Sequence, residues 1–245
     1  MNFLKEFYRT QPDGAFKAYS PMHLAFILFV ASLVILASRL NKDEIGKLKK
    51  VLASLLIFDI VNRYGFYIFT GYSGLKESLP LYHCRIVAIL SLIYFLRPSN
   101  ALGTIIFYWG LMGGILALLH PIPDPFAFPH ILLVLFFLYH SVLFMMTVVV
   151  AKDGNNKLPL STVRKITLCF NIFLIIVNFF LKSDYGFFTS PPIASELLLN
   201  NLGSVGYKVL ALIVYDLIMI VIYKAKYIFI HLLSKDDEMS NQTLK

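Results

Sequence analysis

Seven runs of about twenty apolar residues follow one another along this chain, and they leave few ways for it to fold. Crossing the ~30 Å hydrocarbon core of a bilayer takes about 20 helical residues. Backbone polar groups at that depth must be satisfied internally, which only helices and closed barrels achieve. The runs are continuous rather than alternating in polarity, so they predict helices over about 21–40, 48–70, 80–96, 101–119, 129–150, 161–181 and 206–231. Pro, Gly, Asn and charged residues punctuate the gaps. The expected architecture is an all-α, polytopic membrane protein: a seven-transmembrane-helix bundle preceded by a polar segment, 1–20, and followed by a polar, disordered tail, 232–245. The first run is too long for the core of a cleaved signal and no small-residue cleavage site follows it.

Only 15% of the residues are charged and 58% are hydrophobic, against roughly 25% charged in a soluble domain. The net charge of +8 does not point to nucleic acid, because the basic residues fall in short loops between apolar runs. That distribution suits topology signals and contacts with lipid headgroups. Arg39, Lys42, Lys47, Lys49, Lys50, Arg97, Lys152, Lys157, Arg164, Lys165, Lys224, Lys226, Lys235 and Lys245 would share one side. Lys5, Arg9, Lys17, Lys76 and Lys182 would share the other. The positive-inside rule then puts the N-terminus outside and the C-terminus inside, with membrane lipids as the expected partners. Two cysteines give no disulfide framework.

Polar groups in hydrocarbon are costly and usually face a bundle interior or a wet cavity. Asp59, Asn62 and Arg63 share a helical face. His83, Cys84 and Arg85 open the third run. His120 ends the fourth, His130 opens the fifth, and His140 lies ~15 Å further in at helical rise. Asn171 and Asn178 share a face of the sixth run, Asp184 and Tyr185 follow it, and Asp216 is mid-run in the seventh. Together they predict a polar cavity open toward the outer leaflet, where Arg63 and Arg85 could pair with Asp59, Asp216 and Asp184. The alternative is that Asp59 and Arg63 pair within one helix and only hold the bundle together.

Cys84 is read either as packing or as a nucleophile helped by Arg85, His83 and a helix N-terminus. His140 is either a bond to another helix or a general base. Cys169 reads as packing. Gly110, Gly113, Gly114 and Ala117 form small-residue pairs that let helices approach closely. His83, His120 and His130 gather outside without any metal-binding spacing, so no metal is expected. There is no phosphate-binding Gly-rich loop and no serine elbow, so no soluble cofactor is expected either.

Several short segments resemble the YwaF-type family of bacterial integral membrane proteins, in matching order. They are Ser20-Pro21-x-His23-Leu24, Leu79-Pro80-Leu81-Tyr82-His83-Cys84, Tyr108-Trp109-Gly110-Leu111, Leu118-Leu119-His120-Pro121, Phe128-Pro129-His130, Tyr139-His140-Ser141, and Asn178 with Asp184-Tyr185-Gly186-Phe187. The sequence departs from that pattern in carrying Tyr82 where a histidine is expected, with the histidine at 83. The family is distantly grouped with the eukaryotic transmembrane protein 164, described as a cysteine-dependent phospholipid acyltransferase. The resemblance implies a bacterial plasma-membrane protein in which Cys84 accepts an acyl chain and His140 assists proton transfer. Arg63 and Arg85 would hold a phosphate headgroup, with His83, Asn178, Asp59 and Tyr185 as further substrate-binding candidates. Two other functions stay open: a transporter or binding protein using the same cavity, and a structural subunit of a membrane complex using the glycine face of the fourth run.

Overall fold

A computed structural model describes residues 3–14, 16–72 and 74–243, without the side chains of 75 and 229–243. The described elements are all helical: α1 (Phe3–Phe7), α2 (Pro21–Ser38), α3 (Lys42–Thr70), α4 (Leu75–Ser78), α5 (His83–Leu96), α6 (Asn100–Leu119), α7 (Ile131–Asp153), α8 (Leu160–Leu181) and α9 (Ser195–Thr243), with a 3₁₀ turn at Tyr185–Phe187. Among them α2, α3, α6, α7, α8 and the Ser195–Ile228 part of α9 are long and apolar enough to cross a membrane.

The third expected span is the exception. It starts at His83, not at residue 80, and its 14 residues cover only about 21 Å at helical rise. Pro80 and the turn before it keep Leu79–Tyr82 out of the helix. There are therefore six long spans and one short apolar helix, and the short one brings Cys84 into its first turn.

Local sequence explains most boundaries. The Ser20 side chain accepts from the His23 N–H, with Pro21 at the first helical position. Asn41 and Glu44 form a reciprocal capping box that starts α3 six residues before the apolar run. Ser99 caps α6 and His130 caps α7. Gly71 and Gly154 close α3 and α7 in the left-handed conformation. In α9, Gly203 breaks the helical dihedrals at φ 65°, so the apolar stretch expected from 206 is preceded by a further short helical piece. The backbone of α9 continues to Thr243. The last two residues of the expected tail lie outside the described residues.

Helices α6 and α7 form the centre of the bundle, flanked by α5 and α3, while α8 and α9 pack mainly on each other. Close approach at the centre depends on glycine. A Cβ at Gly110 would meet Thr147, the Leu143 carbonyl and Val87; one at Gly114 would meet Phe144; one at Gly113 would lie 3.3 Å from the Cys84 Cβ. The glycine face of α6 is thus consumed within the chain. Large apolar side chains cover the outside, with Phe69 91% and Phe179 79% exposed, as a surface bathed in acyl chains requires.

The two ends differ. At one, Asp153 accepts from Lys49 and from the Tyr94 hydroxyl, Asn155 donates to the same hydroxyl, and Lys226 donates to the Asn156 carbonyl. At the other, Arg9 ties the N-terminal segment to the Ala127 and Pro129 carbonyls and to Asp13, and His130 bonds the Arg9 carbonyl.

Candidate functional site

A cavity of about 950 Å³ opens at this second end, below the loops that carry Tyr72–Glu77, Ile122–Pro125 and Lys182–Ile193. Cys84 and His140 both line it, as do Arg63, His83 and Arg85. Its depth is formed by α5, α6 and α7, which pack against one another. Its lining includes apolar side chains of α6 (Met112, Leu116 and Ala117) and of α9 (Leu210, Val214 and Ile218), the latter three at four-residue spacing along one helical face.

Cys84 is partly buried in the first turn of α5, a helix that no side chain caps. The first amides of that helix lack intrahelical partners and carry the positive end of the helix dipole toward the sulfur. Gly113 leaves room beside the Cys84 Cβ. The Tyr139 hydroxyl lies against the thiol without meeting it in hydrogen-bond geometry.

His140, on α7, is 6% exposed. Its Nδ1 lies 2.7 Å from the Phe136 carbonyl oxygen. A carbonyl can only accept, so Nδ1 carries the proton and Nε2 keeps its lone pair. That tautomer leaves Nε2 as the basic atom of a ring that lines the cavity. Phe136 and Tyr139 rings pack on the imidazole at 4.5 and 4.8 Å and fix its plane.

Both arginines are anchored, by different means. Arg63 pairs with Asp59 one turn away, NH2–Oδ1 2.6 Å and Nε–Oδ2 3.2 Å, with both side chains buried. Its guanidinium also sits 5.6 Å from the Tyr139 ring centroid. Arg85 donates to the Glu77 and Leu79 carbonyls and to the Tyr67 hydroxyl, and lies over the Tyr67 and Tyr82 rings. Carbonyls and phenols do not neutralise it, so Arg85, with no carboxylate partner among the described residues, brings a positive charge to the cavity wall.

Residues 18–226 match the TMEM164 family. The chain belongs to that family. No curated protein and no solved structure matches it. This TMEM164-family protein is therefore a multi-pass membrane protein, and the family is the one that the resemblance placed at a distance. The YwaF-type assignment is left without support.

Not every expected site residue reaches the cavity of this TMEM164-family chain. Asp59 is spent on Arg63 behind the wall. The Asn178 amide bonds the Tyr185 carbonyl, the Tyr185 N–H and the Ser183 hydroxyl, so it shapes the turn after α8 and is absent from the lining. Tyr185 is fully buried, and its hydroxyl accepts from the Leu79 N–H. Asp184 lines the cavity but accepts from the Thr189 and Ser190 N–H groups and pairs with neither arginine; burial raises its carboxyl above the ordinary range. Asp216 forks with Arg164 of α8 at 2.6 and 2.7 Å. Because α9 is long and starts early, its middle lies level with the basic end of α8, away from the cavity. Cys169 is exposed, not packed.

His83 touches the cavity but is boxed by Trp109, Phe170 and Tyr215 and faces Asn171. His130 is occupied on both ring nitrogens by the Leu132 N–H and the Arg9 carbonyl. Among the described residues no three His, Cys, Asp or Glu side chains gather as metal ligands. The residue missed from sequence is Tyr139. In sequence it figured only as part of the Tyr139-His140-Ser141 segment, with no role of its own.

Proposed function

We propose that this protein transfers acyl chains between membrane lipids, with Cys84 as the nucleophile and His140 as the base. The observation that carries the reading is that the thiol and an imidazole of defined tautomer line one cavity. His140 Nε2 would take the thiol proton and the sulfur would attack the carbonyl carbon of a lipid ester. The ester C–O bond would then break, the departing alkoxide would recover the proton, and a thioester would remain on Cys84. Attack by a lysolipid hydroxyl, deprotonated in turn by His140, would transfer the acyl group and regenerate the thiol. The apolar lining from α6 and α9 suits the chain, and Arg85 suits a phosphate at the mouth. By the positive-inside rule the mouth would lie in the outer leaflet.

The transport alternative draws less support, because Asp59, Asn178 and Asp216 are engaged elsewhere. The structural-subunit alternative relied on a glycine face that is already filled by α5 and α7. The test is acyl transfer from a labelled diacyl phospholipid to a lysophospholipid by purified protein in vesicles. Cys84→Ser and His140→Ala should each abolish it while leaving the folded fraction unchanged. Transfer at the wild-type rate in both variants would end the proposal.

A further inference from the structure

Among the described residues the buried hydroxyls of Tyr64, Tyr108 and Tyr139 meet no partner in hydrogen-bond geometry. Leaving such a group unsatisfied costs about 1–3 kcal/mol, and native proteins keep few of them. Of the three, only Tyr139 lines the cavity. It is 5% exposed, lies against the Cys84 thiol, and precedes the candidate base by one residue. Its O–H has no acceptor in hydrogen-bond geometry, and the group it lies against is the Cys84 sulfur.

The arginines near the sulfur are engaged. Arg63 uses Nε and NH2 on Asp59. Arg85 is spread over two carbonyls and a phenol. His83 Nε2 is also buried without a partner, but its ring is enclosed by Trp109, Phe170 and Tyr215. The Tyr139 phenol, in contrast, is backed by the Arg63 guanidinium 5.6 Å from its ring centroid. A cation on the ring draws electron density from it and strengthens the O–H as a donor. The His140 ring meets it edge-on at 4.8 Å, so the phenol is held by two neighbours.

We propose that Tyr139 is the oxyanion donor of acyl transfer at Cys84, an assignment that rests on the thioester reading above. When the sulfur adds to the ester carbonyl, the C=O π electrons move to oxygen. The tetrahedral intermediate then carries a negative charge within reach of the Tyr139 O–H. The hydroxyl donates a hydrogen bond to that oxygen and keeps its proton. Collapse restores the C=O and expels the leaving oxygen, and the same contact serves the second half-reaction in reverse. A donor held in place and unpaired before the reaction needs no reorganisation when charge develops, which is why preorganised donors stabilise transition states so well.

The experiment uses the full-length protein in detergent with p-nitrophenyl palmitate, whose leaving group needs no acid. The wild type should release p-nitrophenolate in a burst and hold a hydroxylamine-labile acyl group on Cys84. Tyr139→Phe keeps the ring, its contact with Arg63 and its packing. It should slow acylation about 10²–10³-fold, the usual loss for one oxyanion donor, while iodoacetamide alkylates Cys84 at the wild-type rate. Acylation by Y139F as fast as by the wild type would overturn the assignment and leave the thioester reading intact. So would a parallel fall in alkylation, which would place the hydroxyl's action on the thiol. A wild type with no Cys84-dependent acylation would instead remove the thioester reading and this assignment with it. Should Y139F fold poorly, fluorotyrosines at 139 preserve shape while grading donor strength. Acylation must follow that grade, and a flat response refutes the donor role.

Discussion

Arg63 and Asp59 form a buried ion pair one helical turn apart, with side chains 8% and 4% exposed and a shortest contact of 2.6 Å. Removing one partner strands the other's charge away from water, at about 3–5 kcal/mol. That is roughly a 150- to 5,000-fold change in the folding equilibrium, since each tenfold is about 1.4 kcal/mol. The two single variants should not be equal. Asp59→Leu leaves a guanidinium that still has the Tyr139 ring and the cavity beside it. Arg63→Met leaves a carboxylate 3% exposed, behind the wall, and also removes the contact with the ring, worth about 0.5–2 kcal/mol. Arg63→Met is therefore the more damaging. The double variant Asp59→Leu/Arg63→Met puts apolar volume where the charges were and should recover most of the loss, giving a coupling of several kcal/mol. SDS-driven unfolding in mixed micelles, followed by tryptophan fluorescence from Trp109, measures all four proteins. Single variants that each lose less than about 1 kcal/mol would mean that the pair behaves as a solvated one, and the buried-pair reasoning fails. The recovered double variant then asks a second question. Acyl transfer that stays lost in a folded protein assigns Arg63 to the site itself; transfer that returns makes it a structural member of α3.

Gly103 sits against the connection between α7 and α8: a Cβ there would run into the Asn155 carbonyl oxygen. Gly103→Ala should cost about 1–3 kcal/mol by overpacking, readable as a lower melting temperature in detergent, whereas Gly46→Ala, with open space around it, should not. His130 lies just before α7, and burial holds its pKa below the ordinary 6.5, with the Arg9 charge adding to that and the bond to the Arg9 carbonyl opposing it. The undocked form therefore takes up a proton first, so docking of the N-terminal segment has full strength above about pH 6.5 and weakens as pH falls below it. Hydrogen exchange over residues 3–14 should quicken between pH 7 and pH 5, and His130→Asn should flatten that dependence. Cysteines placed at Lys76 and Lys157 in a background lacking Cys84 and Cys169 should label from opposite sides of a sealed vesicle, Lys76→Cys from outside; labelling of both from one side refutes the topology.

Runs of apolar residues were enough to find every long helix, because a span is specified by composition over about twenty positions. Its ends were less legible. The capping box at Asn41 and Glu44 extends α3 into a lysine-rich segment that looks like loop by hydropathy alone. Gly203 lets α9 begin earlier than its apolar run. A polar cavity toward one end was expected from the clustering of polar residues; Cys84, His140, Arg63, His83 and Arg85 line a cavity whose wall is largely apolar. Sequence could not assign partners among the acids. Asp216 has the same character as Asp59, and only the offset between α8 and α9 gives it to Arg164. Nor could it separate Asn178, which shapes a turn, from a side chain facing open space. Tyr139 escaped notice for a different reason: a tyrosine in an apolar helix is ordinary until its hydroxyl is found buried and without a partner.

The shape of the site bears on its use. The mouth is framed by three loops at one end, while the other end of the bundle is closed by side chains. Val87, Ile106, Tyr108, Leu143, Met146 and Val149 belong to one core cluster in which each is fully buried. A polar solute would have to displace that packing to pass through, at the cost that close-packed interiors impose on any change of volume. A lipid has no such need. On the proposed reading its headgroup would sit near Arg85, Lys76 and Lys182 and one chain near Leu210, Val214 and Ile218, all of which line the cavity. Access should therefore be one-sided. A membrane-impermeant methanethiosulfonate should modify Cys84 from the loop side of a sealed vesicle and not from the other, and a bulky apolar residue at Gly113, against the Cys84 Cβ, should slow that reaction. Equal modification from both sides would mean that the core opens, and a passage would then be a better description than a reaction chamber.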